Sequence, residues 1–142
     1  MSVKTYLGID VGTKRTGVAI ANSLTLQASG IEVVTHHKNG STNWAGFDQI
    51  IKIHPADLLI VGLPFDQDGK EQEMTFIAKS FARKLEARYN IKTAMIDEYL
   101  SSSDAKNQLK YNHYHPNADR GEVDKRSAQL ILQTWLNEKR FD

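Results

Sequence analysis

Apolar positions along the chain follow two different rhythms. The first third carries short continuous apolar runs at residues 4–11 and 16–22, split by the polar stretch GTKR, which reads as two strands joined by a hairpin turn. SGIEVVT (29–35) reads as a third strand, and HHKNGSTN after it as a loop. Thr42 or Asn43 is placed to cap a short helix on which Trp44, Phe47, Ile50 and Ile51 recur at helical spacing. ADLLIVGLP (56–64), closed by Gly62 and Pro64, suits a buried strand. Met74, Ile77, Ala78, Phe81, Ala82 and Leu85 then fall on one stripe and predict an amphipathic helix over 71–88. IKTAMIDE (91–98) reads as a further strand. Ser101 with Asp104 resembles a capping box opening another helix, YNHYHPNADRG reads as a polar loop, and the last helix is expected over 121–139.

An antiparallel start followed by alternating helices and strands predicts an α/β protein, a mixed five-stranded sheet flanked by helices. The first three strands pair antiparallel, and the later ones, joined by crossover helices, pair in parallel. Ligands of such sheets bind near the carboxyl ends of the strands.

The 142 residues fit one domain spanning 1–142. The chain has no cysteine, which excludes a disulfide framework and a thiolate metal site. No apolar stretch approaches the ~20 residues needed to span a bilayer, and MSVKTYLGIDVG lacks a signal-peptide core, so the expectation is a cytoplasmic protein without a membrane partner. The net charge of +1 means that any nucleic-acid affinity must come from a local basic surface.

Against this pattern Asp10 stands out, because it interrupts an apolar run, and a lone buried carboxylate needs a partner, a metal or a proton. Two further acids can reach it. Glu98 ends the strand TAMIDE, while strand alternation points Asp97 the other way. Asp124 shares a helix face with Ala128, Ile131 and Trp135, at steps of four, three and four. Taken singly, each has an ordinary alternative: Asp10 in a turn, Glu98 as a solvated strand end, Asp124 as an acid favoured at a helix start. Together they would repel one another, and a divalent cation such as Mg²⁺ or Mn²⁺, which prefers hard oxygen ligands, removes that repulsion.

GIDVGTKRTGVAIAN, VGLPFDQDG (61–69), DEYLSSSDA (97–105) and VDKRSAQLILQTWL (123–136) occur in an order and at spacings that resemble the YqgF family of Holliday junction resolvase-like proteins. The resemblance covers nearly the whole chain. It implies a ribonuclease H-like fold and a metal-dependent nuclease with Asp10, Glu98 and Asp124 as catalytic, metal-binding acids. It also implies a role in maturing the 5′ end of pre-16S ribosomal RNA. Two positions depart from the family: Tyr99 stands where arginine is frequent, and Ser127 where alanine is usual.

Candidate nucleic-acid contacts are Lys14 and Arg15 in the turn after Asp10, and Lys110 and Arg120 in the loop KYNHYHPNADR. Arginine suits bidentate phosphate contact, and interleaved aromatics and cations suit unpaired bases. Gly62 could let backbone approach substrate. His113 and His115 lack the further ligands a zinc site needs. His36 and His37 read as loop residues, and Trp44 and Trp135 as core. Pre-ribosomal RNA is the favoured partner, with branched DNA the alternative, and the chain is expected as a monomer or weak homodimer. A junction resolvase needs a symmetric dimer for its two cuts. An ATP-binding reading of DVGT needs a second such domain. A non-catalytic ribosome-assembly module would bind nucleic acid without turnover.

Overall fold

The structure, a computed structural model, describes residues 2–98 and 119–139. The elements run β1 (Thr5–Asp10), β2 (Arg15–Asn22), β3 (Ser29–Thr35), α1 (Trp44–Ile53), β4 (Leu58–Leu63), α2 (Glu73–Tyr89), β5 (Thr93–Asp97) and α3 (Arg120–Lys139). The expected strands and the two long helices are all present there, and no end moves by more than two residues. The helix expected from Ser101 and most of the loop after it lie outside the described residues.

The sheet order is β3-β2-β1-β4-β5. β1 pairs antiparallel with β2, and β2 with β3, while β4 runs parallel to both β1 and β5. This is the mixed sheet expected from the order of elements. Strand alternation sorts its side chains into two cores. On one face Leu7, Ile9, Val18, Leu59 and Val61 meet Phe47 and Ile50 of α1 and Phe81, Ala82 and Leu85 of α2. On the other, Ala19, Ala21, Ile60 and Ile96 meet Ala128, Ile131, Leu132 and Leu136 of α3. Burying each large aliphatic side chain contributes about 1.5–3 kcal/mol.

The second face decides where the chemistry sits. β1 and β2 offer α3 small residues, so the helix lies close: a Cβ on Gly8 would stand 2.7 Å from Cβ of Leu132. Two glutamines fix its rotation. Gln129 Oε1 accepts from the Gly30 N–H at 3.2 Å, and Gln133 Oε1 accepts from the Ala28 N–H at 2.9 Å. With those contacts made, Asp124 stands at the end of the sheet where β1 finishes. Its face is the expected one, with Ala128 and Ile131 buried and Trp135 half-buried edge-on against Tyr6.

α1 and α2 are tied to each other on the first face. Asn43 caps α1, its side chain accepting from the Gly46 N–H at 3.2 Å. Arg88 donates two bonds to Asp48, at 2.9 and 2.8 Å, and its guanidinium lies 5.0 Å from the Trp44 ring centre. Among the described residues no helix is long and apolar enough to cross a membrane.

Candidate functional site

Asp10 is the last residue of β1 and pairs in register with Gly17 on β2. On its other side Ile9 is level with Val61, which puts Asp10 beside Gly62 of β4. Glu98 follows directly on β5, whose last residue Asp97 pairs with Leu63. β4 therefore lies between the two acids. Glu98 crosses it because Gly62 has no side chain: a Cβ there would stand 2.7 Å from Glu98 Oε1 and 2.6 Å from Ile131 Cδ1. The result is a hydrogen bond between the Asp10 and Glu98 carboxyl groups. Asp124 arrives from α3, whose backbone passes so close to β2 that a Cβ on Gly17 would overlap the Asp124 carbonyl oxygen. The three acids expected to converge are thus brought to one end of the sheet.

Their charges interact strongly. Burial is the main cause that pushes the Asp10 carboxyl well above the ordinary carboxylate range; the charge of Glu98, the bond they share, and the charge of Asp124 push the same way. Burial also raises Glu98, its bond from Asp10 acts against that, and the charge of Asp97 adds to it. Burial thus disfavours the charged form of both members of the pair. Asp124 is neutralised differently: Arg15 Nε donates to its Oδ2 at 2.6 Å.

A donor set of three carboxylates, partly buried and offering only oxygen, has the chemistry that Mg²⁺ or Mn²⁺ requires. As the side chains lie, no three His, Asp or Glu groups among the described residues are arranged to hold a metal ion.

The turn after Asp10 is fastened from below. Thr16, fully buried, accepts at Oγ1 from the Gly12 N–H at 3.4 Å and lies 2.8 Å from His36 Nε2. His36 Nδ1 faces the Asn43 N–H at 3.3 Å. A backbone N–H only donates, so Nδ1 accepts and the ring proton sits on Nε2, aimed at Thr16. Burial, with the neighbouring His37, lowers the pKa of His36, which favours this neutral form. His36 is therefore a buckle between the β1–β2 turn and α1, not a plain loop residue. Its partner Thr16 is 20 positions away in sequence, and no local pattern signals the pair.

The other candidates are more scattered. Lys14 is exposed on the turn, and Arg15 commits Nε, one of its five donors, to Asp124. Arg120 is exposed at the start of α3, not in a loop; Asp119 before it accepts from the Gly121 N–H at 2.9 Å. Lys110 and Tyr99, like His113 and His115, lie outside the described residues. Gly62, read from sequence as a point of substrate approach, makes room for Glu98 and Ile131.

Residues 4–138 match the family RuvX, described as Holliday junction resolvase. Among similar sequences, a protein of Aeromonas salmonicida is 38% identical over 139 residues, 98% of this chain and 99% of that one. A protein of Coxiella burnetii is 36% identical over 134 residues, 94% of this chain and 93% of that one. Both bear the name "Putative pre-16S rRNA nuclease". Among solved structures, the fold is similar to Thermus thermophilus RuvC in complex with a Holliday junction substrate, with TM-score 0.63, 12% identity, and 97% and 96% of the two chains covered. The fowlpox virus Holliday junction resolvase gives TM-score 0.58 at 12% identity, covering 94% of this chain and 99% of that one. The mixed five-stranded sheet is that of the ribonuclease H-like resolvases.

Proposed function

This chain belongs to the RuvX family of Holliday junction resolvases and is a nuclease, and from that premise we propose that it is a divalent-metal-dependent one maturing the 5′ end of pre-16S ribosomal RNA in the cytoplasm. The observation that carries the metal-dependent reading is the convergence of Asp10, Glu98 and Asp124 at the carboxyl end of β1. The RNA assignment is supported by the names of the full-length relatives.

Asp10, Glu98 and Asp124 would hold Mg²⁺ or Mn²⁺ between them, with Asp10 central. A divalent cation there supplies an activated water and neutralises charge on the leaving oxygen of a phosphodiester. The chain's own residues do the rest. Asp10 and Glu98 would hold the cation as carboxylates. With Asp124 also on the cation, the Arg15 guanidinium would be released to face a phosphate oxygen with its planar set of donors. Lys14, on the same turn, adds a second positive charge beside the phosphate. Gly12, held by Thr16 and His36, keeps the turn and Asp10 in fixed relation, and positioning of this kind supplies much of a catalyst's advantage.

The family description favours a second reading, cutting of four-way DNA, for which two copies must act together. One experiment separates the two. Wild type and Asp10→Asn are incubated in Mn²⁺ with labelled RNA spanning the 5′ end of pre-16S ribosomal RNA, and in parallel with a four-way DNA junction. Cleavage of the RNA by wild type alone is the expected result. Cleavage of the junction alone would move the substrate to DNA, and equal cleavage by Asp10→Asn would remove Asp10 from the chemistry.

A further inference from the structure

α2 carries two stripes, and the fold uses only one. Thr75, Ala78, Phe81, Ala82 and Leu85 are buried against the sheet. Glu73, Phe76, Ile77, Ser80 and Lys84 recur at helical spacing on a neighbouring stripe that lines a groove of about 600 Å³. Phe76 is 57% exposed, so packing does not account for an aromatic ring at that position. The groove's floor is His36 and Phe81, whose rings lie 6.5 Å apart, and its opposite wall is the loop around Gly40 and Thr42. Its upper end is the segment Val11–Gly12–Thr13, which leaves Asp10 directly. The groove lies on the α1/α2 face and the acids on the α3 face, with this turn as the ridge between them.

We infer that this groove receives an unpaired nucleobase of the substrate strand, stacked on Phe76, next to the phosphate faced by Arg15 and Lys14. The inference rests on the nuclease reading above. An exposed aromatic ring with cations around it is the common platform for single strands. Lys84 lines the groove and Lys14 stands on the ridge, while Lys79 Nζ, 5.9 Å from the Phe76 ring centre, is paired with Glu71 at 2.7 Å. A phosphate is the wrong occupant, because Lys84 shares the groove with Glu73 and most of the remaining wall is apolar. A base fits: its flat face meets Phe76 and Ile77, while Glu73 and Ser80 can bond its polar edge. The volume lies within the range of small-ligand clefts. Stacked bases cannot leave a duplex without cost, so the groove selects strands that are single or already splayed at the cut.

The test measures fluorescence anisotropy with the full chain in Ca²⁺, using a labelled single-stranded RNA, the DNA strand of the same sequence, and a blunt duplex of each. Phe76→Ala should weaken binding of both single strands by about 5- to 100-fold and leave duplex binding unchanged. Phe76→Trp should retain the wild-type Kd. Because Phe76 is exposed, the melting temperature of both variants should match wild type. A stronger loss on RNA than on DNA would add contact with the ribose to the stacked base. Unchanged strand affinity in Phe76→Ala, or an equal loss on duplex, overturns the groove as a base site. If wild type still cleaves RNA in that case, the nuclease reading stands alone. If wild type binds no strand at all, both fall.

Discussion

The charged form of Asp10 is disfavoured by burial and by two neighbouring acids. The sign of the consequence follows from linkage. A carboxyl raised in the folded state contributes stability while it is protonated, fully present below its unfolded pKa and lost as pH rises through the folded value. In EDTA at pH 8, wild type therefore carries repulsion that Asp10→Asn lacks. Scanning calorimetry should show Asp10→Asn melting a few degrees above wild type there, with the difference closing as pH falls towards about 4. Added Mn²⁺ should reverse the order, since only wild type gains stability from binding. A variant that melts below wild type in EDTA at pH 8 would contradict the electrostatics. Asp10 was legible because an acid in an apolar run is conspicuous. Glu98 and Asp124 gained meaning only jointly with it. The Arg15–Asp124 pair, 109 positions apart, left no trace in local pattern. Neither did the His36–Thr16 buckle.

At the scale of elements, close approach makes the site, and two glycines permit it in different ways. A Cβ on Gly62 would meet the ends of two side chains, Glu98 and Ile131, which can move aside. Gly62→Ala should keep most of the stability but displace Glu98 from Asp10, lowering single-turnover cleavage by roughly 10- to 100-fold. A Cβ on Gly17 would meet the backbone of Asp124, which cannot move without shifting α3. Gly17→Ala should cost about 1–3 kcal/mol or more in urea denaturation. Full cleavage by Gly62→Ala would show that Glu98 does not need its present path across β4. The strands and helices were legible because short apolar runs closed by turn residues differ from apolar positions recurring about every 3.6 residues. What period could not show is why Gly62 stands next to the end of β4, since that depends on the Glu98 side chain arriving from beyond β5. The second stripe of α2 was missed for a related reason: Phe76 sits off the hydrophobic face, and only the groove beside it gives the ring a setting.

At the scale of the whole molecule, a net charge of +1 leaves little general attraction for a polyanion. Affinity then rests on a few cations around the β1–β2 turn and α2. If Arg15 and Lys14 each neutralise a phosphate, log K against log salt for single-stranded RNA should have a slope of about −1.4, from about −0.7 per phosphate. A slope several times steeper would place the binding surface elsewhere. The mixed sheet sets the geometry of all of this. Parallel β1, β4 and β5 finish at one end, α3 closes over one face and α2 over the other, so acids and groove share a single ridge.

The most direct measurement is a crystal of the full chain soaked in Mn²⁺, with diffraction collected at the manganese absorption edge. The expected result is anomalous density enclosed by Asp10, Glu98 and Asp124, at about 2.0–2.2 Å from their oxygens, with Arg15 turned away from Asp124. Anomalous density elsewhere, or none while Asp10 and Glu98 keep their mutual bond and Arg15 keeps Asp124, would contradict a metal-dependent nuclease centred on these three acids.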